Sequence, residues 1–476
     1  MAVVDNKNKP TPRQLEEQQQ PPPPYTDLPT ASSTGGPSHV HSTAGPSQPL
    51  VRNAQQGPPS RPPRNGSAAG ARFCKALSIA FLIWIVFSVY MGSIAKTISS
   101  YHRENRYEGT EPLPGFSNPS CADWSSDLRG ESPKANGYPH ASFVSYNLPL
   151  DASRHFFASR GHLASGAVKV VSSSPHLNPD HIVVDVAVYY NEPTLLDSVR
   201  ACRIQQKDTY TEGVGIFTPN WYPPTHHDHL RFEMTIHVPS ANSSQPLVLE
   251  NFQTDMSLFA HTIDDLSGKV FFNSLELRTS KSPIAVQGIE AHVANITTSN
   301  SGITGFYTTA DFLKLQNSNG PIDVDVTLKN KGKGDPNKTS LQLHNSNGHI
   351  VSTLHLTSDS DKEGTYSINA VTSNSPFKLD FVDAPKDSAL ELTAETSNSP
   401  GSAIMHPTYQ GKFSLKSSNV SPRVEEHKRK GRTVEYSSRS GSAVEGYVTW
   451  NGEDKSRWQL GGVNLKSSNS RVTLVL

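Results

Sequence analysis

Residues 76–95 read ALSIAFLIWIVFSVYMGSIA, an uncharged and mostly apolar run of 20 residues. As an α-helix rising about 1.5 Å per residue, it spans roughly 30 Å, the thickness of a bilayer's hydrocarbon core. Lipid offers no partner for a bare backbone N–H, so a helix is the form such a run takes there. Lys75 and Lys96 bracket it, and the 75 residues before it hold too little apolar material to bury it. The run predicts a single membrane span and divides the chain into a short head and a long tail.

Orientation is set by the flanks. Arg61, Arg64, Arg72 and Lys75 precede the run; Lys96, Arg103 and Arg106 come after it, mixed with Glu104, Glu108 and Glu111. The balance of basic charge places the head in the cytosol. The expectation is a type II single-pass protein of the plasma membrane or a secretory or vacuolar membrane, its tail outside or in a lumen.

Residues 1–70 are rich in Pro, Gln, Ser and Gly and hold few large apolar side chains. Such a segment cannot offset the entropy of ordering itself, so it is expected to be disordered. Within PPPPY, Pro22, Pro23 and Tyr25 match the PPxY pattern that WW domains bind. A proline run already sits in a polyproline II helix and docks with little entropy left to lose. By resemblance to other membrane proteins with a cytosolic PPxY, WW-domain ubiquitin ligases are the expected partners. RPPR at Arg61–Arg64 reads as a juxtamembrane basic spacer or an SH3-type ligand. Cys74, at the cytosolic edge of the run, is a candidate for palmitoylation.

Residues 96–140 carry Pro, Gly, Ser and charge without periodicity and read as a stalk. From Ala141 onward, short alternating runs rich in β-branched and aromatic residues recur, among them SFVSYNL (142–148), GAVKVV (166–171), HIVVDVAVYY (181–190), GVGIFT (213–218) and LRFEMTIHV (230–238). That period of two predicts an all-β tail. In its second half a polar corner repeats: TSKS, TSNS, NSNG, NSNG, TSNS, TSNS, SSNV and SSNS, each leading into a short strand-like segment. The third positions are Lys281, Asn300, Asn319, Asn347, Asn374, Asn398, Asn419 and Asn469. Most of their spacings lie between 19 and 28; the last is 50, with SRSGSAVEG (438–446) as a degenerate member inside it. Repeats of this length are the mark of stacked coils, in which each unit buries a face that it cannot bury alone. Asn or Gly at the corner would tolerate a positive φ. An antiparallel sandwich with Asn/Ser turns is the other arrangement open. Residues 141–260 lack the corner and read as a β domain or as the N-terminal cap of the stack that 261–476 form.

The corner-and-strand pattern resembles the adhesin-like β-solenoid domains of unknown function found in bacteria and fungi, over about residues 250–476. The layout of Pro-rich head, one span and Asn/Ser-rich tail is similar to that of uncharacterised fungal membrane proteins. The resemblance implies a β-solenoid and a surface or wall-binding role, and it brings no site residues.

Four sequons lie in the tail, at Asn242, Asn295, Asn337 and Asn419, and a luminal address would expose them to glycosylation. Cys121 and Cys202 are the only cysteines of the tail, a pair that an oxidising compartment permits to form one disulfide. The chain carries no G-x-S-x-G, H-E-x-x-H, P-loop or dinucleotide-binding glycine motif, and no cofactor is expected. His226, His227, Asp228 and His229 are adjacent after a YPPT turn and read as a solvated loop rather than a metal site. Asp323 and Asp325 share one face of a strand, about 7 Å apart, as acids do in solenoid enzymes that cleave polysaccharides; plain alternation, with Ile322, Val324 and Val326 inward and the acids outward, is the favoured account. HKRKGR (427–432) reads as a solvated loop that holds a dibasic Lys428-Arg429 pair. Forty-three basic residues balance 43 acidic ones, which disfavours nucleic acid as a partner. The expected function is non-enzymatic binding of a surface, wall polysaccharide or protein ligand. A membrane-anchored carbohydrate-active β-helix enzyme is the alternative.

Overall fold

A computed structural model describes residues 113–124, 137–173, 180–219, 229–239, 245–332, 337–360, 362–450 and 461–476. The apolar run 76–95, the head with Pro22, Pro23 and Tyr25, and Cys74 lie outside them. Among the described residues no helix is long and apolar enough to cross a membrane.

The tail is all-β. Its N-terminal strands are β1 (Ser117–Cys121), β2 (His140–Pro149), β3 (Arg154–Arg160), β4 (Gly166–Ser173), β5 (His181–Tyr190), β6 (Arg200–Gln206), β7 (Thr211–Phe217) and β8 (Leu230–Pro239). Next come β9 (Leu247–Asp255), β10 (Phe259–Asp265), β11 (Val270–Arg278), β12 (Ile284–Thr297), β13 (Ile303–Gln316), β14 (Ile322–Asn330), β15 (Thr339–His344), β16 (Ile350–Ser358), β17 (Thr365–Val371), β18 (Phe377–Asp383), β19 (Ala389–Thr396) and β20 (Gly401–Ile404). The last are β21 (Gly411–Ser417), β22 (Arg423–Glu425), β23 (Arg432–Arg439), β24 (Ala443–Trp450), β25 (Gly462–Ser467) and β26 (Val472–Val475).

Hydrogen bonding sorts these strands into two layers. The front layer runs β7–β3–β9–β11, then the second half of β12 and of β13, then β15–β17–β19–β25–β21, all parallel. The back layer runs β8–β4–β10, the first half of β12 and of β13, then β14–β16–β18–β20–β26–β22, again parallel. Each coil therefore gives one strand to each layer, and the coils stack about 4.8 Å apart. Antiparallel strands close both ends: β5, β2, β6 and β1 at one, β24 and β23 at the other.

Alternation builds the core. In β14 the buried residues are Ile322, Val324, Val326 and Leu328. In register with Ile322 on the neighbouring coils stand Ile284, Ile303, Ile350 and Phe377, each fully or almost fully buried. Each such side chain contributes roughly 1.5–3 kcal/mol of burial free energy, so the ladder of like residues is the main cohesive element between coils. Fit is tight: a Cβ on Gly401 would lie 2.2 Å from the ring of Phe377 on the coil below.

The two edges of the stack differ. From β11 onward the chain turns from front to back through the repeated polar corner, whereas β3 to β4, β7 to β8 and β9 to β10 make that turn without it. From back to front it turns in several ways. β12 and β13 cross within one continuous strand, through register shifts; β13 leaves the back layer after Thr309 and joins the front layer at Phe312. β14 to β15, β16 to β17 and β18 to β19 instead use loops. Coil length varies at this second edge alone, which is why the corner spacing is uneven.

The order of coils differs from the order of the chain at both ends. β3–β4 lie between β7–β8 and β9–β10. β25–β26 lie between β19–β20 and β21–β22. The chain skips one coil position after β20, builds the outermost coil and the β23–β24 hairpin, then returns to fill the gap. The 50-residue spacing before Asn469 holds this excursion, and 438–446 form the hairpin end and not a corner.

Residues 141–260 belong to the same stack. Position 260 lies inside β10, and β9 and β10 pair with β3 and β4 on one side and with β11 and β12 on the other. Part of the expected stalk is also folded. β1 pairs with β6, Leu113 and Phe116 pack with Phe156 and Ile204, and the Trp124 indole N–H donates to the Val199 carbonyl at 2.9 Å. β1 is almost wholly exposed, so no apolar alternation marked it in the sequence.

Candidate functional site

The corner places two polar ladders side by side. On the outside, each third-position Asn donates its amide N–H to the amide oxygen of the Asn one coil below. Asn319 reaches Asn300 at 2.8 Å, Asn347 reaches Asn319 at 2.8 Å, Asn374 reaches Asn347 at 2.7 Å and Asn398 reaches Asn374 at 2.7 Å. Asn469 then reaches Asn398 at 2.6 Å, and Asn419 reaches Asn469 at 2.7 Å. At the start, where Lys281 takes the Asn position, Asn300 donates to the Ser280 carbonyl instead.

On the inside stand the first-position residues Thr279, Thr298, Asn317, Asn345, Thr372, Thr396, Ser417 and Ser467, all buried. From Thr298 onward, each donates to the carbonyl of the fourth corner residue one coil below: Thr298 to Ser282, Asn317 to Ser301, Asn345 to Gly320, Thr372 to Gly348, Thr396 to Ser375. Ser467 to Ser399 and Ser417 to Ser470 complete the series. The sequence displays the outer ladder by its constant Asn. The inner one is hidden because three residue types share one role, and its only sign is a correlation. Where the first position is Asn, the fourth is Gly (Asn317 with Gly320, Asn345 with Gly348); where it is Thr after the TSKS corner, the fourth is Ser. The Asn345 carboxamide also accepts the N–H of Gly348 at 3.0 Å, and a Cβ there would meet the Gly320 carbonyl oxygen at 1.9 Å. None of these corners uses a positive φ; their glycines serve close approach.

The outer surface of the front layer carries a row of polar side chains in strict register: Gln253, Glu276, Asn295, Lys314, Gln342, Asn369, Thr393, Asn464 and Ser414. At its far end the row enters an open cavity of about 860 Å³. Glu391, Thr393, Lys412, Ser414, Asn464 and Tyr447 line it, with Ser437 of β23 on the far side. Charges alternate around it: Lys466 pairs with Glu395 at 2.7 Å, Lys416 with Glu445 at 3.6 Å, and Glu391 with Lys338 at 2.8 Å. Amides, hydroxyls, paired charges and one tyrosine can exchange hydrogen bonds with a hydroxyl-rich or polar ligand.

The back surface differs. Asp323 and Asp325 point outward from β14, with Ile322, Val324 and Val326 buried beneath them. Asp325 and Asp383 flank His355, at 3.6 and 3.3 Å. Phe306 stands nearby, 58% exposed. Among the described residues no group of three or more His, Cys, Asp or Glu is placed to hold a metal ion. His226, His227 and Asp228 lie outside them, and His229 is an exposed residue whose backbone N–H donates to Asn191.

Of the sequons, Asn295 sits in the front row itself, beside its own Thr297. Asn337 is exposed just before β15, and Asn419 ends the outer Asn ladder. Asn242 lies outside the described residues. Cys121 and Cys202 are joined by a disulfide across β1 and β6. Three histidines are buried among the described residues, His155, His261 and His406. His261 is pushed down to about 4 by burial and holds Thr254 and the Phe259 carbonyl; His406 is likewise pushed down to about 4 by burial.

No protein-family model matches this sequence, and no curated protein matches it. The crystal structure of a putative cell adhesion protein from Clostridium sporogenes aligns with 70% of this chain and 98% of its own, at 7% sequence identity and a TM-score of 0.18.

Proposed function

We propose that this chain is a non-enzymatic, adhesin-like binding protein of a membrane. Residues 76–95 anchor it in type II orientation, the coil stack faces outside or a lumen, and the Pro22-Pro23-x-Tyr25 head recruits WW-domain ubiquitin ligases. The observation that carries the binding role is the front row of amides and hydroxyls, in register on successive strands and leading into the cavity beside β24. Its spacing of about 4.8 Å suits an extended polymer with regularly repeated polar groups, such as a wall polysaccharide, more than a compact small molecule. A glycan on Asn295 would cover the near half of the row, leaving the cavity end for the ligand.

The test is binding of purified full-length chain to immobilised wall polysaccharides, with Lys412→Glu and Asn464→Ala beside the unaltered protein. A loss of affinity of tenfold or more in both variants, with unchanged circular dichroism, supports the front-face site. Failure of the unaltered chain to bind any polysaccharide defeats the polysaccharide ligand. The orientation is tested apart from this, by protease protection of both ends in sealed microsomes. A protected N-terminus would overturn it.

A second reading, a membrane-anchored carbohydrate-active enzyme, draws on Asp323 and the Asp325–His355–Asp383 group of the back surface. It requires that polysaccharide incubated with the chain yields new reducing ends, and that Asp325→Asn abolishes them.

A further inference from the structure

Between β22 and β23 the chain crosses a loop, residues 426–431, that leaves the end of the stack. His427, Lys428, Arg429 and Lys430 are all exposed. Arg432, at the head of β23, donates to the His427 carbonyl, and its own N–H closes a turn on the Arg429 carbonyl at 3.2 Å. The three consecutive basic side chains therefore sit on a turn at the tip of an exposed connection, the usual setting for proteolytic nicking.

The segment beyond the loop is held on several sides. Residues 430–476 comprise β23 to β26. β24 pairs with β21, β25 is flanked by β19 and β21, and β26 is flanked by β20 and β22. Val463, Leu465, Val472 and Leu474 are in the core. These contacts hold the segment in place without help from the peptide bonds of the loop.

We propose that this loop is a processing site for an endoprotease specific for paired basic residues, and that the cut product remains one folded body of two chains. Water hydrolyses the Arg429–Lys430 bond, leaving a carboxylate on Arg429 and a new amino group on Lys430. The cut frees the start of β23, the strand whose Ser437 lines the front cavity, so processing acts on the proposed binding site without removing any part of it. The meeting with such a protease rests on the luminal address proposed above; the cleavage and the retention are properties of the loop and of the interleaved coils.

Purified full-length chain is incubated with a subtilisin-type endoprotease selective for paired basic residues. The expected result is one early cut, a 430–476 fragment on denaturing gels, and co-elution of both pieces in native gel filtration. K428A/R429A should slow the cut at least tenfold while leaving the circular dichroism spectrum unchanged. First cleavage elsewhere, resistance of the loop, or release of the fragment without denaturant would overturn the proposal. A glycosidase digest of the same chain made in the secretory pathway reports the address separately, so a failed address and a failed cut are told apart.

Discussion

Asn345 and Asn347 stand two residues apart in one corner, yet the first is buried and the second exposed. Asn347 exchanges amide bonds with Asn319 and Asn374 in contact with solvent. Replacing it by Ala removes bonds that water can partly replace, at a cost of about 1 kcal/mol. Asn345 serves the Gly320 carbonyl and the Gly348 N–H in the interior, so Asn345→Ala strands two buried backbone groups, at a cost of about 2–4 kcal/mol. Urea unfolding of the two variants should show the larger loss for Asn345. Equal losses would mean that the inner ladder is no more than space filling. The outer Asn was legible in the sequence because one residue type fills the position. The inner position was not, since the donors Thr, Asn and Ser are interchangeable there. The outward Asp323 and Asp325 were legible as one of two readings, from the simple alternation around them.

At the scale of the strand, period-two alternation revealed β2, β4, β5 and β8, because each has one face in the core, and β-branched and aromatic content revealed β7, which is buried on both faces. It missed β1, which is held by a disulfide and a hydrogen-bonded edge rather than by an apolar stripe. It also could not show that β25–β26 lie inside the stack, since the corner of that coil reads like any other. The candidate cavity depends on this insertion, because Asn464 from β25 sits between Thr393 and Ser414. Leu465→Asp would put a carboxylate in the core at the inserted coil. The expected outcome is loss of hydrogen-exchange protection confined to β21–β26, with β9–β18 still protected. Uniform loss would show that the coils fold as one indivisible unit and that β25 has no special place in it.

For the molecule as a whole, stacked coils make stability nearly a sum of neighbour terms, so a whole coil is a removable unit. Residues 319–346 are one such coil, and deleting them joins Asn317-Ser318 to Asn347-Gly348 and restores the corner. The shortened chain should keep its β spectrum and unfold cooperatively, whereas deletion of 319–332 alone should not fold. Aggregation of the coil-length deletion under conditions where the parent is soluble would count against the modular stack. The interleaved ends also bear on mechanics. Strands at the rim of an ordinary sheet are peeled away one hydrogen bond at a time. β25 and β26 have a neighbour on each side in their respective layers, so a pull along them loads all of those bonds together, in shear. The far end of the stack is thus lockstitched: a load applied along these two strands meets the fold where it is least able to unravel.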